Sequence, residues 1–127
     1  MNNLFDIACN FSSDRFDNDL NEVIQRAKNN NVTKFLVVSA SLKDAEKVNK
    51  IYQDNKDSCF FTIGVHPHNA NEFGSFSSAE MIKLIEKYKP HSVGETGLDF
   101  FRNISSYEEQ LFAFEEQIKI AIKTNLP

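Results

Sequence analysis

Short apolar runs alternate with amphipathic segments four times along this chain, and this alternation limits its fold more than any other feature of the sequence. The runs are rich in β-branched and aromatic residues, and the longest are almost continuously apolar, which is typical of parallel strands covered on both faces. They recur at intervals of roughly 30 residues, which leaves room for a crossover helix after each strand. We predict strands at Leu4–Cys9, Lys34–Ser39, Cys59–Val65 and Ser92–Gly94.

The segments between these runs have the periodicity of amphipathic helices, which we predict at Asp17–Asn29, Lys43–Asn55, Ser78–Lys89 and Tyr107–Thr124. In the last segment the apolar residues at helical spacing are Leu111, Phe114, Ile118 and Ile122. Ser106 and Glu109 have the spacing of a capping box at its start. The order βαβαβαβα predicts an α/β fold with a parallel sheet and right-handed crossovers.

Two architectures satisfy this order, a doubly wound open sheet and part of a TIM-type barrel. No GxGxxG motif or P-loop follows any predicted strand, which disfavours the nucleotide-binding forms of the open sheet. The length of 127 residues suits one domain, whereas a complete eight-stranded barrel usually needs roughly 250 residues.

Composition limits which partners and which cellular location we expect for the chain. The net charge of −4 does not give the basic field of a protein that binds DNA by bulk electrostatics, so contact with nucleic acid would require a bound cation and a local pocket. The sequence has no apolar run long enough to span a membrane and no secretory signal, so we expect no membrane partner and a cytoplasmic location. Cys9 and Cys59 lie in predicted strands without a CxxC motif, which predicts reduced core thiols.

Polar side chains follow the first and third predicted strands, where parallel α/β folds collect their functional groups. Asp6 and Asn10 share one face at the end of the first strand, as a site or as a structural carboxylate and a turn former. His66 and His68 flank Pro67 after the third strand and can face the same ligand, although such a pair is also found in ordinary loops.

Glu95 directly follows the fourth apolar run, at the predicted mouth of the sheet. A carboxylate there would be partly desolvated, which is costly unless a cation or a hydrogen-bond donor compensates it. Glu95 could therefore hold a metal ion or pair with Arg102. Arg102 itself could hold a phosphate or neutralise Asp99.

Taken together, the motifs of this chain resemble those of the TatD-like hydrolases in order and approximate spacing, across essentially its whole length. The motifs are Asp6-Ile7-Ala8-Cys9-Asn10-Phe11, Gly64-Val65-His66-Pro67-His68, Gly94-Glu95-Thr96-Gly97-Leu98-Asp99 with Arg102 and Asn103, and Glu108-Glu109-Gln110 with Phe114 and Gln117. The resemblance implies that residues 1–127 form the N-terminal half of a TIM-type (β/α) barrel, with about four βα units and a parallel sheet.

The resemblance also implies an activity, namely metal-dependent hydrolysis of phosphodiester bonds in DNA, with 3′-to-5′ exonuclease behaviour. The expected partner is single-stranded DNA or a DNA end. Glu95 matches the metal-ligand glutamate of the family and is the expected catalytic residue. Mg²⁺ is the expected cofactor because oxygen ligands suit a hard ion, and histidine ligands would also suit Mn²⁺ or Zn²⁺. His66, His68 and Arg102 are expected to contact the substrate phosphate, with Asp6, Asn10 and Asp99 as supports.

The chain departs from the family pattern in two respects. Many relatives carry two histidine ligands on the first strand, in places held here by Ala8 and Asn10, so one metal position is expected to be weak or absent. In the family, further histidines and an aspartate on later strands complete the site. The 127 residues therefore encode one matched metal ligand.

Two other interpretations stay open at this stage. The first is a non-catalytic half-barrel, for example a truncated product, that is stabilised by self-association because an open sheet has a bare edge strand and an uncovered apolar face. The second is an unrelated doubly wound binding domain, which only the order of predicted elements supports.

Overall fold

The computed structural model describes residues 2–127, which form one parallel sheet of four strands together with four α-helices. The strands are β1 (Leu4–Cys9), β2 (Val32–Val37), β3 (Cys59–Ile63) and β4 (Ser92–Val93). The helices are α1 (Leu20–Asn29), α2 (Ala45–Asp54), α3 (Ser77–Tyr88) and α4 (Tyr107–Thr124). The sheet has the order β1-β2-β3-β4 with every pair parallel. A doubly wound sheet would reverse direction partway, so the predicted partial α/β barrel is confirmed.

The predicted boundaries agree best where the apolar pattern is strongest. β1 and α4 have the predicted bounds, whereas β2 begins at Val32, before the predicted start at Lys34. Val32 and Thr33 are both β-branched, and such side chains fit a pleated strand. β4 is only two residues long, although the Gly94 amide just after it still donates to the Ile63 carbonyl of β3.

The core lies between the sheet and the helices. Phe35, Val37, Phe61 and Ile63 alternate along β2 and β3 and are almost completely buried. On the helical side, the Tyr52 ring of α2 lies 5.1 Å from that of Phe61. Burying a phenylalanine side chain of this kind is worth about 1.5–3 kcal/mol. The two layers are therefore held together mainly by apolar contacts.

Cys9 and Cys59 are both buried free thiols. Burial raises the pKa of each thiol, because the charged form is poorly solvated inside the protein. Their predicted place in the core is confirmed, while their reduced state stays a prediction.

The inner face of β1 is open, as the half-barrel interpretation expects of a sheet that is not closed. Leu4, Phe5 and Ile7 are 57%, 49% and 68% exposed, although the apolar pattern by itself indicated a strand covered on both faces. Within residues 2–127, β1 pairs only with β2. The Phe5 ring of β1 lies 5.6 Å from the Phe60 ring of β3.

The buried face of α4 differs from the apolar stripe that its sequence shows. The predicted capping box at Ser106 and Glu109 is present. However, Ile118 and Ile122 of the apolar stripe are 42% and 76% exposed. The buried residues of α4 are Gln110, Ala113, Gln117 and Ile120. None of the helices formed by residues 2–127 is long and apolar enough to cross a membrane.

Candidate active site

A pocket of about 440 Å³ lies at the carboxyl end of the sheet, and residues that follow each of the four strands line it. Its lining residues are Ala8, Asn10, Val38, Ala40, His66, His68, Asn69 and Glu95. Asn10, His66 and Glu95, which are far apart in sequence, therefore converge as the strand-end argument predicts. Asp6 does not line this pocket, and its carboxylate instead accepts the Ala8 amide at 3.1 Å.

Glu95 is positioned by backbone contacts with the two preceding strands. Its amide donates to the Ser39 carbonyl at 3.0 Å, and the Gly94 amide donates to the Ile63 carbonyl at 3.0 Å. The buried Thr62 hydroxyl donates to the Gly94 carbonyl and accepts the Ser39 amide. The Gly94–Glu95 peptide bond is cis. No role was predicted for Ser39 or Thr62, because single polar residues near a strand end are common.

His66 presents a hydrogen-bond donor to Glu95. Its Nδ1 accepts the His68 amide at 3.1 Å, so in the neutral ring the proton is on Nε2. That Nε2 lies 3.9 Å from Glu95 Oε1. Burial lowers the His66 pKa below its usual 6.5, an effect that the Glu95 charge partly offsets. At neutral pH, His66 therefore offers an N–H group rather than a lone pair for a metal ion.

His68 leaves a hydrogen-bond acceptor free rather than a donor, because Asp99 binds its Nε2 atom. Its Nε2 lies 2.7 Å from Asp99 Oδ2. The Asp99 pKa is lowered to about 2 by the amide of Arg102, by His68 and by the Arg102 guanidinium, so Asp99 is ionised at neutral pH. An ionised carboxylate only accepts hydrogen bonds, so His68 Nε2 carries the proton that Asp99 accepts, and in the neutral ring Nδ1 is left as an acceptor.

Arg102 pairs with Asp99 and not with Glu95. Its Nη1 lies 3.1 Å from Asp99 Oδ2, while its side chain stays 63% exposed. Of the alternatives that the sequence left open, a Glu95–Arg102 pair is therefore wrong. A second pocket shares His66 and Glu95 with the first, and its other lining residues are Pro67, Thr96, Gly97, Leu98, Asp99, Phe101 and Arg102.

Two buried glutamines of α4 hold the loops that carry the site. Gln117 accepts the Val65 amide at 2.7 Å and donates to the Val65 carbonyl at 3.0 Å, next to His66. Gln110 accepts the Asp99 amide at 2.8 Å and donates to the carbonyl of Ser105. Both glutamines occurred in the motifs of the family resemblance, but no positioning role was predicted for them. Their helical spacing with Ala113 and Ile120 is the signal that could have shown it.

Replacing Gln117 by leucine should destabilise the fold and loosen the segment that carries His66. The change leaves the buried N–H and C=O of Val65 without partners, which costs about 2–4 kcal/mol for the two groups. Chemical denaturation measures the loss, and hydrogen exchange at the Val65 amide locates it. Gln53→Leu on α2, where the Gln53 amide donates to the Asn49 side chain at the surface, is the matched control. Unchanged protection of the Val65 amide in Gln117→Leu would contradict this role.

The described residues fit part of a divalent metal site. Glu95 supplies a carboxylate with 41% of its side chain exposed, and Asn10 supplies an amide oxygen. Oxygen ligands of this kind suit Mg²⁺. Among residues 2–127, however, no group of three or more His, Cys, Asp or Glu side chains is arranged to hold a metal ion, whereas catalytic sites usually have three protein ligands.

The sequential parallel strands, with polar groups gathered at their carboxyl ends, define part of an α/β barrel with a candidate site at its mouth. The chain belongs to the TatD related DNase family, whose model matches residues 5–127. The resemblance inferred from the motifs is thus confirmed.

Sequences of known relatives align with nearly the whole chain. It is 36% identical to the 3′-5′ ssDNA/RNA exonuclease TatD of Pantoea ananatis and 38% identical to that of Cronobacter sakazakii, over 98% of this chain in both cases. It covers 48% and 47% of those proteins, so the chain spans about half the length of the curated relatives.

Solved structures show the same relation. The TatD homologue YJJV from Escherichia coli matches with a TM-score of 0.88 and 26% identity, over 98% of this chain and 48% of that one. The TatD family hydrolase from Entamoeba histolytica matches with a TM-score of 0.83 and 32% identity, over 100% of this chain and 49% of that one.

Proposed function

We propose that the chain supplies one half of a metal-dependent site that hydrolyses phosphodiester bonds at the 3′ end of single-stranded DNA. The observation that carries the proposal is the meeting of Glu95 and His66 in one pocket, with Arg102 lining the adjoining one. These groups can provide a metal ligand, an N–H donor and a guanidinium for a phosphate. The relatives named as 3′-5′ ssDNA/RNA exonucleases support the direction of digestion and add single-stranded RNA as a substrate.

Glu95 and Asn10 would hold the cation, with Mg²⁺ as the first choice and Mn²⁺ or Zn²⁺ as alternatives. A bound divalent cation would neutralise phosphate charge and would make a water molecule easier to deprotonate. His66 donates a hydrogen bond from its Nε2–H group to a phosphate oxygen. Arg102 binds the phosphate through guanidinium N–H groups other than the one that Asp99 accepts.

His68 has a different task from the phosphate contact expected from the sequence. In the neutral ring, with the Nε2–H group donating to Asp99, its Nδ1 can accept a hydrogen bond but cannot donate one. It therefore suits a hydroxyl group or a water molecule in the pocket better than a phosphate oxygen. The two rings of the His66-Pro67-His68 segment thus offer a donor and an acceptor to the same substrate.

A second candidate is that the 127-residue chain is non-catalytic by itself. The small number of metal ligands among residues 2–127 favours it. The open inner face of β1 is the surface through which self-association would occur. This candidate and the first are compatible, because the first concerns a completed barrel. The cytoplasmic location also stays a prediction.

Metal binding and digestion by the purified 127-residue chain test these proposals. We expect weak Mg²⁺ binding by calorimetry and no digestion of a labelled single-stranded oligonucleotide, because too few ligands are present. Joined to the second half of the Cronobacter sakazakii relative, the same residues should digest that oligonucleotide, and EDTA should stop the reaction.

Each experiment tests one of the two candidates. Strong, EDTA-sensitive digestion by the 127-residue chain would overturn the non-catalytic candidate. A folded, completed barrel that binds metal but leaves single-stranded DNA intact would overturn the proposed activity.

A further inference from the structure

Phe101 is an aromatic side chain that the proposed hydrolysis does not use, although it lines the second pocket beside Arg102. Its side chain is 98% exposed, and the neighbouring Leu98 and Phe100 are 42% and 44% exposed. Single exposed apolar residues are normal on protein surfaces, but this one shares a pocket with Glu95 and His66. Exposure alone would need no explanation, but the position of Phe101 in this pocket does.

Hydrogen bonds and a ring stack hold the loop around Phe101. Asp99 accepts the Arg102 amide through its side chain at 3.0 Å and the Asn103 amide through its carbonyl at 3.0 Å. Phe100 stacks on Tyr107 with the ring centres 4.8 Å apart. Phe100 thus has an aromatic partner within the protein, whereas the Phe101 ring faces solvent with no such partner among residues 2–127.

We propose that Phe101 is a stacking platform for a base of single-stranded nucleic acid whose phosphate is held by Arg102. Proteins that bind single strands combine aromatic rings for the bases with cations for the backbone, and a nucleotide carries both groups close together. Residues 101 and 102 present one of each, side by side, at the edge of the pocket. This proposal rests on the proposed function and adds a binding subsite to it.

The charge of the chain favours a contact that does not depend on electrostatic attraction. With a net charge of −4, the protein gains little from bulk attraction to a polyanion. Near the pocket, the Arg102 charge is already opposed by Asp99, and Glu95 adds a further negative charge. Stacking does not depend on net charge, so Phe101 can provide affinity that the electrostatics of this surface do not.

The proposal is tested by binding in EDTA, where hydrolysis cannot occur. Fluorescence anisotropy measures Kd for a labelled thymidine hexanucleotide and for an abasic oligonucleotide of the same length. Phe101→Ala should weaken binding of the hexanucleotide about 5- to 150-fold, because stacking on an aromatic ring contributes on that scale. Phe101→Trp should retain binding. Phe76→Ala, which removes a ring 86% exposed outside both pockets, should change nothing.

The abasic oligonucleotide separates stacking from phosphate contact. Its affinity should be the same for the unaltered chain and for Phe101→Ala. Equal losses for both oligonucleotides, or an unchanged Kd of Phe101→Ala for the hexanucleotide, would overturn the stacking role. A completed barrel that digests DNA equally well with and without Phe101 would also overturn it, while leaving the proposed hydrolysis intact.

Discussion

Glu95→Gln in the completed barrel should lower metal-dependent digestion of single-stranded DNA by about 10³-fold or more. The change keeps the shape of the side chain but removes the charge that binds the cation, and a catalytic cation contributes several kcal/mol to the transition state. The site offers little to replace it, because Asn10 is neutral and His66 presents an N–H group toward Glu95. Initial rates across a range of Mg²⁺ concentrations measure the effect.

Glu86→Gln provides the matched control for this experiment. Glu86 is an exposed glutamate on α3, outside both pockets, so its loss should leave the rate within about twofold. Digestion that is EDTA-sensitive and survives in Glu95→Gln would show that another residue holds the metal ion.

Gly64→Ala should destabilise the fold by about 3 kcal/mol, near the upper end of the usual cost of overpacking. A Cβ at residue 64 would lie 2.5 Å from the Gly94 carbonyl carbon and 2.6 Å from its Cα and oxygen. These are backbone atoms, so no side chain can move aside to relieve the contact. The peptide that precedes Glu95 would have to shift, and the hydrogen bond between Glu95 and Ser39 would stretch. Urea denaturation measures the loss of stability.

Gly74→Ala is the corresponding control, since a Cβ at residue 74 would meet nothing within 4 Å. Its free energy of unfolding should be unchanged or slightly higher. If the two alanine variants unfolded at the same urea concentration, the close approach of residues 64 and 94 would not be what destabilises Gly64→Ala.

The fold could be predicted from the sequence because its main signals are local. Strand and helix periodicities are set by neighbouring residues, and the order of elements then leaves few topologies. The coverage of each face is not a local property. β1 and the core strand β3 have similar apolar patterns, yet Ile7 is 68% exposed whereas Ile63 is completely buried. Only the three-dimensional arrangement of other segments determines that difference.

The part of the site that could be predicted is the part whose side chains come directly after strands. The convergence of Glu95 and His66 needs only the rule that parallel strands end on one side of the sheet. The pairing of His68 with Asp99 depends on how the loop after β4 folds back, which no spacing in the sequence encodes. Gln117 was overlooked because glutamine on a helix is usually exposed, and its burial depends on a backbone partner 52 residues away.

That same separation sets an order of events during synthesis. The segment with His66 leaves the ribosome before α4 exists, and at about 5–20 residues per second the 52 residues between Val65 and Gln117 take roughly 3–10 s to make. Throughout that interval the Val65 backbone lacks the side chain that later fixes it. In a nascent chain, the histidine donor and acceptor therefore reach their final geometry only after α4 has been translated and has docked.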